Sequence, residues 1–97
     1  MAEKIIWSFR AIRDRKEIYS YWIQRNKSDL YSQRLDLLFQ RALHLVAAHP
    51  TLGKPTNKPK VRIKIVRDYS LIYEIREDSI VLLTIWDTRR NPDKLVF

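Results

Sequence analysis

Cysteine is absent from the 97-residue sequence, which excludes a disulfide framework and a thiolate metal site and accords with the cytoplasm. Glycine occurs once, at Gly53, so no glycine-rich loop can cradle a phosphate. Collagen-like and linker-like chains are excluded by the same scarcity. No apolar run approaches the roughly 18 residues that would span a bilayer, and residues 1–7 are too short and too polar for a secretory leader. Histidine occurs only at His44 and His49, outside the i, i+4 spacing of a helical zinc pair. Glu77 and Asp78 read as a solvated turn, not as an acid/base pair. No cofactor or metal is expected. What remains is a globular composition, 45% hydrophobic and 31% charged, of a size that suits one domain over residues 1–97.

Carboxylates are missing from one stretch in particular. Residues 54–67 hold Lys54, Lys58, Lys60, Arg62, Lys64 and Arg67 and no acid, within a chain of net charge +8. Clustered charge adds up over a region instead of cancelling. It suits a phosphate backbone or an acidic protein partner.

Periodicity organises the rest. Lys4-Ile5-Ile6-Trp7 reads as a strand, and Ser8 as the cap of a helix carrying Ala11, Ile18, Tyr19, Trp22 and Ile23. Ser28 or Asp29 caps a second helix running to about Ala48, before Pro50. Its apolar face is read as Tyr31, Leu35, Leu38, Phe39, Ala42, Leu45 and Val46. Residues 51–59 read as loop.

The period then changes to two. Val61, Ile63 and Ile65 alternate with Lys60, Arg62 and Lys64, predicting a strand with a basic outer face. A turn at residues 66–68 sets Ile65 opposite Tyr69, Ile63 opposite Leu71 and Val61 opposite Tyr73, with Lys60 facing Glu74. The strand from Ile80 to Trp86 is apolar on both faces and belongs inside the sheet. Arg89 and Arg90 follow it and are placed near the Arg62 row, where the planar guanidinium fork suits phosphate or carboxylate. The order is β-α-α-β-β-β, an α+β domain with an N-terminal strand and helical hairpin packed on an antiparallel sheet.

In order and spacing, several segments resemble one family. They are Ile5-Ile6-Trp7-Ser8 with Ala11, the aromatic first helix with Tyr19 and Trp22, and the corner Ala48-His49-Pro50-Thr51-Leu52-Gly53. They continue through Arg62, the hairpin from Arg67 to Ile75, the strand Ile80 to Ile85, and Trp86-Asp87-Thr88-Arg89-Arg90-Asn91-Pro92. Together they are similar to the RelE/ParE toxin superfamily over almost the whole chain. The resemblance implies a type II toxin, silenced by an acidic-tailed antitoxin, with two helices against an antiparallel sheet.

RelE-like members cleave messenger RNA on the ribosome, and ParE-like members block DNA gyrase. By resemblance, Lys60, Arg62 and Lys64 match the family's basic strand, and Arg89 or Arg90 its strand-end arginine. Arg62, Arg89 and Arg90 are the catalytic candidates of a ribonuclease. Lys60, Arg62, Lys64, Arg67, Arg89 and Arg90 are the candidates for partner or target binding. The hairpin Tyr69 is followed by Ser70 where RelE-like members tend to carry Arg, and the tail from Asp93 to Phe97 has neither Tyr nor His. No general base is visible there, which favours the gyrase-binding branch. The alternative from another class is a stand-alone nucleic-acid-binding domain using the same basic stripe.

Overall fold

The computed structural model describes residues 4–97; residues 1–3, part of the stretch weighed above as a leader, lie outside it. Strand β1 (Lys4–Trp7) leads into helix α1 (Phe9–Asn26), and α2 (Leu30–Ala48) returns antiparallel to it. Ser8 caps α1, its hydroxyl accepting from the Ala11 amide while donating to the Leu83 carbonyl. Lys27 takes the left-handed conformation that ends the helix. A 3₁₀ turn (Pro50–Leu52) and the two-residue strand β2 (Lys54–Pro55) follow. Strands β3 (Val61–Val66), β4 (Tyr69–Ile75) and β5 (Ser79–Asp87) form a meander, and a second 3₁₀ turn (Pro92–Lys94) precedes the tail.

The sheet order is β1-β5-β4-β3-β2. The α+β architecture is the one expected. The sheet is mixed, because β1 runs parallel to β5 while the other pairings are antiparallel. A parallel pair needs a long crossover, and the helical hairpin with the β2–β4 segment supplies it. Part of the loop read over residues 51–59 is β2, on the outer edge of β3. Among the described residues no helix is long and apolar enough to cross a membrane.

The β3–β4 register differs from the expected one by one residue. Val66 pairs with Tyr69, so only Arg67 and Asp68 turn the chain, with Arg67 at φ 57°. A one-residue slip exchanges the faces of a strand. Arg62 therefore stands beside Tyr73 and Lys64 beside Leu71, while Ile63 stands beside Ile72 and Val61 beside Glu74. The physical reason is Val66, which packs into the main core beside the buried Tyr69 when it belongs to the strand.

Two apolar clusters result. The helices cover Tyr69, Leu71, Tyr73, Ile80, Leu82 and Ile85 with Leu35, Phe39, Leu43 and Val46. The opposite face gathers Val61, Ile63, Ile72, Leu83 and Trp86, closed by Leu95 and Phe97 of the tail. Within α2, Leu43 is fully buried and Leu45 is exposed, so the apolar face read from the sequence is rotated there. Leu38 is only half-buried.

Candidate partner-binding surface

The six proposed site residues lie on the β2–β3 edge and at the end of β5. Lys60 sits in the turn before β3, exposed, with φ 66°. That conformation is sparsely populated by side chains other than glycine. The turn is held by Thr56, whose hydroxyl donates to the Val61 carbonyl at 2.9 Å and accepts from the Lys58 amide at 3.1 Å.

Arg62 does not project from a solvated outer face. It lies on the helix side of the sheet, where Nη1 donates to the carbonyls of Thr51 (3.1 Å) and Gly53 (2.8 Å). The neighbouring Tyr73 hydroxyl donates to the Pro50 carbonyl at 2.7 Å and accepts from the Gly53 amide at 3.0 Å. Burial pushes the Tyr73 hydroxyl up from its ordinary pKa, opposed by the Gly53 amide and the Arg62 charge. Arg62 and Tyr73 thus tie the corner after α2 onto β3 and β4.

Lys64 shares the helix-side face of β3 and is half-exposed, and Arg67 is exposed at the tip of the β3–β4 turn. None of Lys60, Lys64 and Arg67 joins an ion pair among the described residues. Charge on an edge strand, with Pro55 beside it, also discourages pairing with another sheet.

The two strand-end arginines are unlike each other. Arg89 is clamped by Asp87, with Nε to Oδ1 at 3.0 Å, Nη2 to Oδ2 at 2.8 Å, and the Arg89 amide also donating to Oδ1. The bidentate pair holds the Asp87 carboxyl below the usual range and raises the Arg89 guanidinium. Arg90 lies over the Trp86 ring, 4.3 Å from its centroid, a cation–π seat that leaves the rim of the guanidinium open. Among the described residues it has no carboxylate partner.

The expected convergence of Arg62 with Arg89 and Arg90 is not formed. Arg62 belongs to the Tyr73 row and Asp87 to the Tyr69 row, four residues along β4 and so about 13 Å apart by strand rise. The faces differ too, since Trp86 beneath Arg90 belongs to the cluster opposite the helices. The structure therefore presents separate cationic points, suited to reading a partner's charges over an extended surface, and not one convergent pocket.

Two features were not foreseen from the sequence. Asp14 of α1 accepts from the Thr84 hydroxyl and from the Ile85 amide, capping β5 beyond the point where β1 leaves the sheet. The outward side of α2 exposes Leu30, Leu37 and Leu45 together with Arg34 and Arg41. The spacing of Leu30 and Leu37 was the available signal for that stripe.

A family model described as "ParE toxin of type II toxin-antitoxin system, parDE" matches residues 5–92. No curated protein matches the chain closely enough to count. Among solved structures, a chain of the "Chromosomal ParDE TA system from P. aeruginosa" superposes with a TM-score of 0.71 at 17% identity, over 84% of this chain and 91% of that one. At that identity the likeness concerns the fold, and it includes most of both chains. The family match extends from β1 through β5 to the first residue of the last 3₁₀ turn, and so includes both helices and every proposed site residue: the chain belongs to the ParE toxin family of type II toxin–antitoxin systems.

Proposed function

We propose that the chain inhibits growth by binding DNA gyrase, and that a cognate acidic antitoxin neutralises it by covering its basic edge. The observation that carries this reading is the family match over residues 5–92. The geometry of the arginines supports a binding role over RNA cleavage. Arg62 is committed to two backbone carbonyls and Arg89 to Asp87, so two of the three catalytic candidates already have partners. Lys60, Lys64, Arg67 and Arg90 remain as the groups that meet a partner's carboxylates.

Inducible expression in a bacterial host, with and without the neighbouring reading frame, tests the reading. The expected result is growth arrest relieved by the neighbour. Purified chain should inhibit gyrase-catalysed supercoiling and leave messenger RNA intact. Cleaved messenger RNA with normal supercoiling would replace this reading with the ribonuclease one.

A further inference from the structure

The two edge strands of the sheet, β1 and β2, are built differently. β2 is two residues long and contains Pro55, which has no amide to donate, and the lysines around it add like charge. Where β1 ends and β5 runs on alone, Asp14 accepts from the Ile85 amide at 3.1 Å and from the Thr84 hydroxyl. Both devices blunt an edge against pairing with another chain. β1 has neither. The Lys4 amide, and that of Ser8 just past the strand, donate to the Asp78 and Leu82 carbonyls. Alternate residues of a strand turn the other way, so Ile5 and Trp7 aim their N–H and C=O groups out of the sheet. Among the described residues those groups have no hydrogen-bond partner. The Ile5 and Trp7 side chains pack on the main core. On the opposite face Ile6 is 43% exposed, and Phe9, just beyond the strand, is 93% exposed.

We infer that β1 pairs antiparallel with β1 of a second copy of the chain, joining the two sheets into one. The edge is self-complementary in a single register. With Ile6 on the two-fold axis, Ile5 of each copy stands opposite Trp7 of the other, and every free amide of the edge meets a free carbonyl. Shifting the pairing by one residue in either direction faces a free group with one already bonded to β5. A further step sets Ile5 or Trp7 opposite a residue beyond the strand. In the symmetric register Ile6 meets its own copy as a closely spaced, non-hydrogen-bonded pair, and the cation of the strand, Lys4, faces Ser8 rather than a second lysine. Charge favours the same arrangement for a chain of net charge +8. The basic segment over residues 54–67 lies at the far edge of the sheet, so the two β3 strands end up seven strand spacings apart, ~34 Å. That is several Debye lengths at 0.1 M salt. A nucleic acid or an acidic peptide would find Lys4 as the one cation of this strand, whereas a second β1 supplies both the backbone groups and an apolar partner for Ile6. The inference does not depend on the toxin reading.

The test uses the purified full chain. With no cysteine in the sequence, Ile6→Cys introduces a lone thiol on the two-fold axis, where the spacing of a non-hydrogen-bonded pair suits a disulfide. Under mild oxidation I6C should form a covalent dimer about tenfold or more faster than L37C, whose thiol stands on the exposed ridge of α2 formed by Leu30, Leu37 and Leu45. Sedimentation of the unmodified chain should show a monomer–dimer equilibrium. Ile6→Lys, which sets like charges against each other, should raise its dissociation constant about tenfold or more. Should I6K melt early, the crosslinking comparison decides. A chain that stays monomeric over the whole concentration range overturns the inference, as does a folded I6K that dimerises like the parent. Faster crosslinking through L37C than through I6C places the self-contact on α2 and overturns it too, and equal rates show that no β1 pairing orients the thiols.

Discussion

At the single glycine, close approach and not unusual backbone is what constrains the residue. Gly53 is buried at an ordinary φ of −69°, so its lack of a side chain is a matter of space. A Cβ there would lie 2.4 Å from the Tyr73 hydroxyl oxygen and 3.0 Å from the Ile63 carbonyl. Gly53→Ala should cost about 1–3 kcal/mol as an overpacked site, measured by urea unfolding. Removing the Tyr73 oxygen relieves the shortest approach. G53A/Y73F should therefore be less destabilised than the sum of the two single changes, and strict additivity would show that the corner relaxes elsewhere. At the end of β5, the contrast between Arg89 and Arg90 predicts that Arg90→Ala weakens growth inhibition more than Arg89→Ala, with both variants folded. The Asp87 carboxyl, depressed by Arg89, sets a direction in pH. Its contribution to stability is complete above the ordinary carboxylate range and is lost as pH falls through the lowered native value. The melting-temperature advantage of the parent over Asp87→Asn should shrink across that acidic window. An advantage that is unchanged there would remove the pair from the stability of the fold.

At the scale of elements, helix boundaries were legible and strand register was not. Ser8, the polar break after α1 and Pro50 bracket the two helices within a residue or two of where they lie, because caps and proline act locally. The β3–β4 turn lacks glycine and asparagine, and Arg67 takes the left-handed conformation in their place. With nothing local to fix the bounds of the turn, assigning Val66 to strand or turn depended on a tertiary fact, its burial beside Tyr69. The basic row then moved to the helix side of the sheet, and Arg62 became part of the corner after α2. The outer face remained apolar because residues of the tail, invisible to any local period, cover it. Candidate residues could thus be selected by type and clustering, while their grouping in space could not be read that way. The same logic corrects the packing of α2. Leu43→Ala, at a fully buried position, should cost about 2–5 kcal/mol. Leu45→Ala on the exposed ridge should stay within about 0.5 kcal/mol. Equal costs in thermal and urea unfolding would contradict the observed rotation of the helix face.

Over the whole molecule, charge and exposed apolar surface are segregated into different regions. The net charge of +8 owes most of its excess to residues 54–67, and that segment follows the β2–β3 edge and its flanking turns. The α2 ridge carries exposed leucines instead. Charges at the margin of an interface accelerate encounter and are screened by salt, with a Debye length of about 10 Å at 0.1 M. Desolvated apolar contacts mainly slow dissociation. A charge-reversal variant must spare Arg62, whose bonds to Thr51 and Gly53 hold the fold, and must also spare Lys58, which donates to the Phe97 carbonyl. Lys60, Lys64 and Arg67 remain. K60E/K64E/R67E should lower the association rate with the neighbouring gene product by about tenfold or more at low salt. The difference from the parent should narrow steeply as salt is raised, while the dissociation rate changes little. Stopped-flow or surface-based kinetics at two salt concentrations reads both quantities. An association rate that is unchanged at low salt would detach the basic edge from partner capture. The charge of residues 54–67 would then serve only to protect the open side of β3 from pairing with another strand.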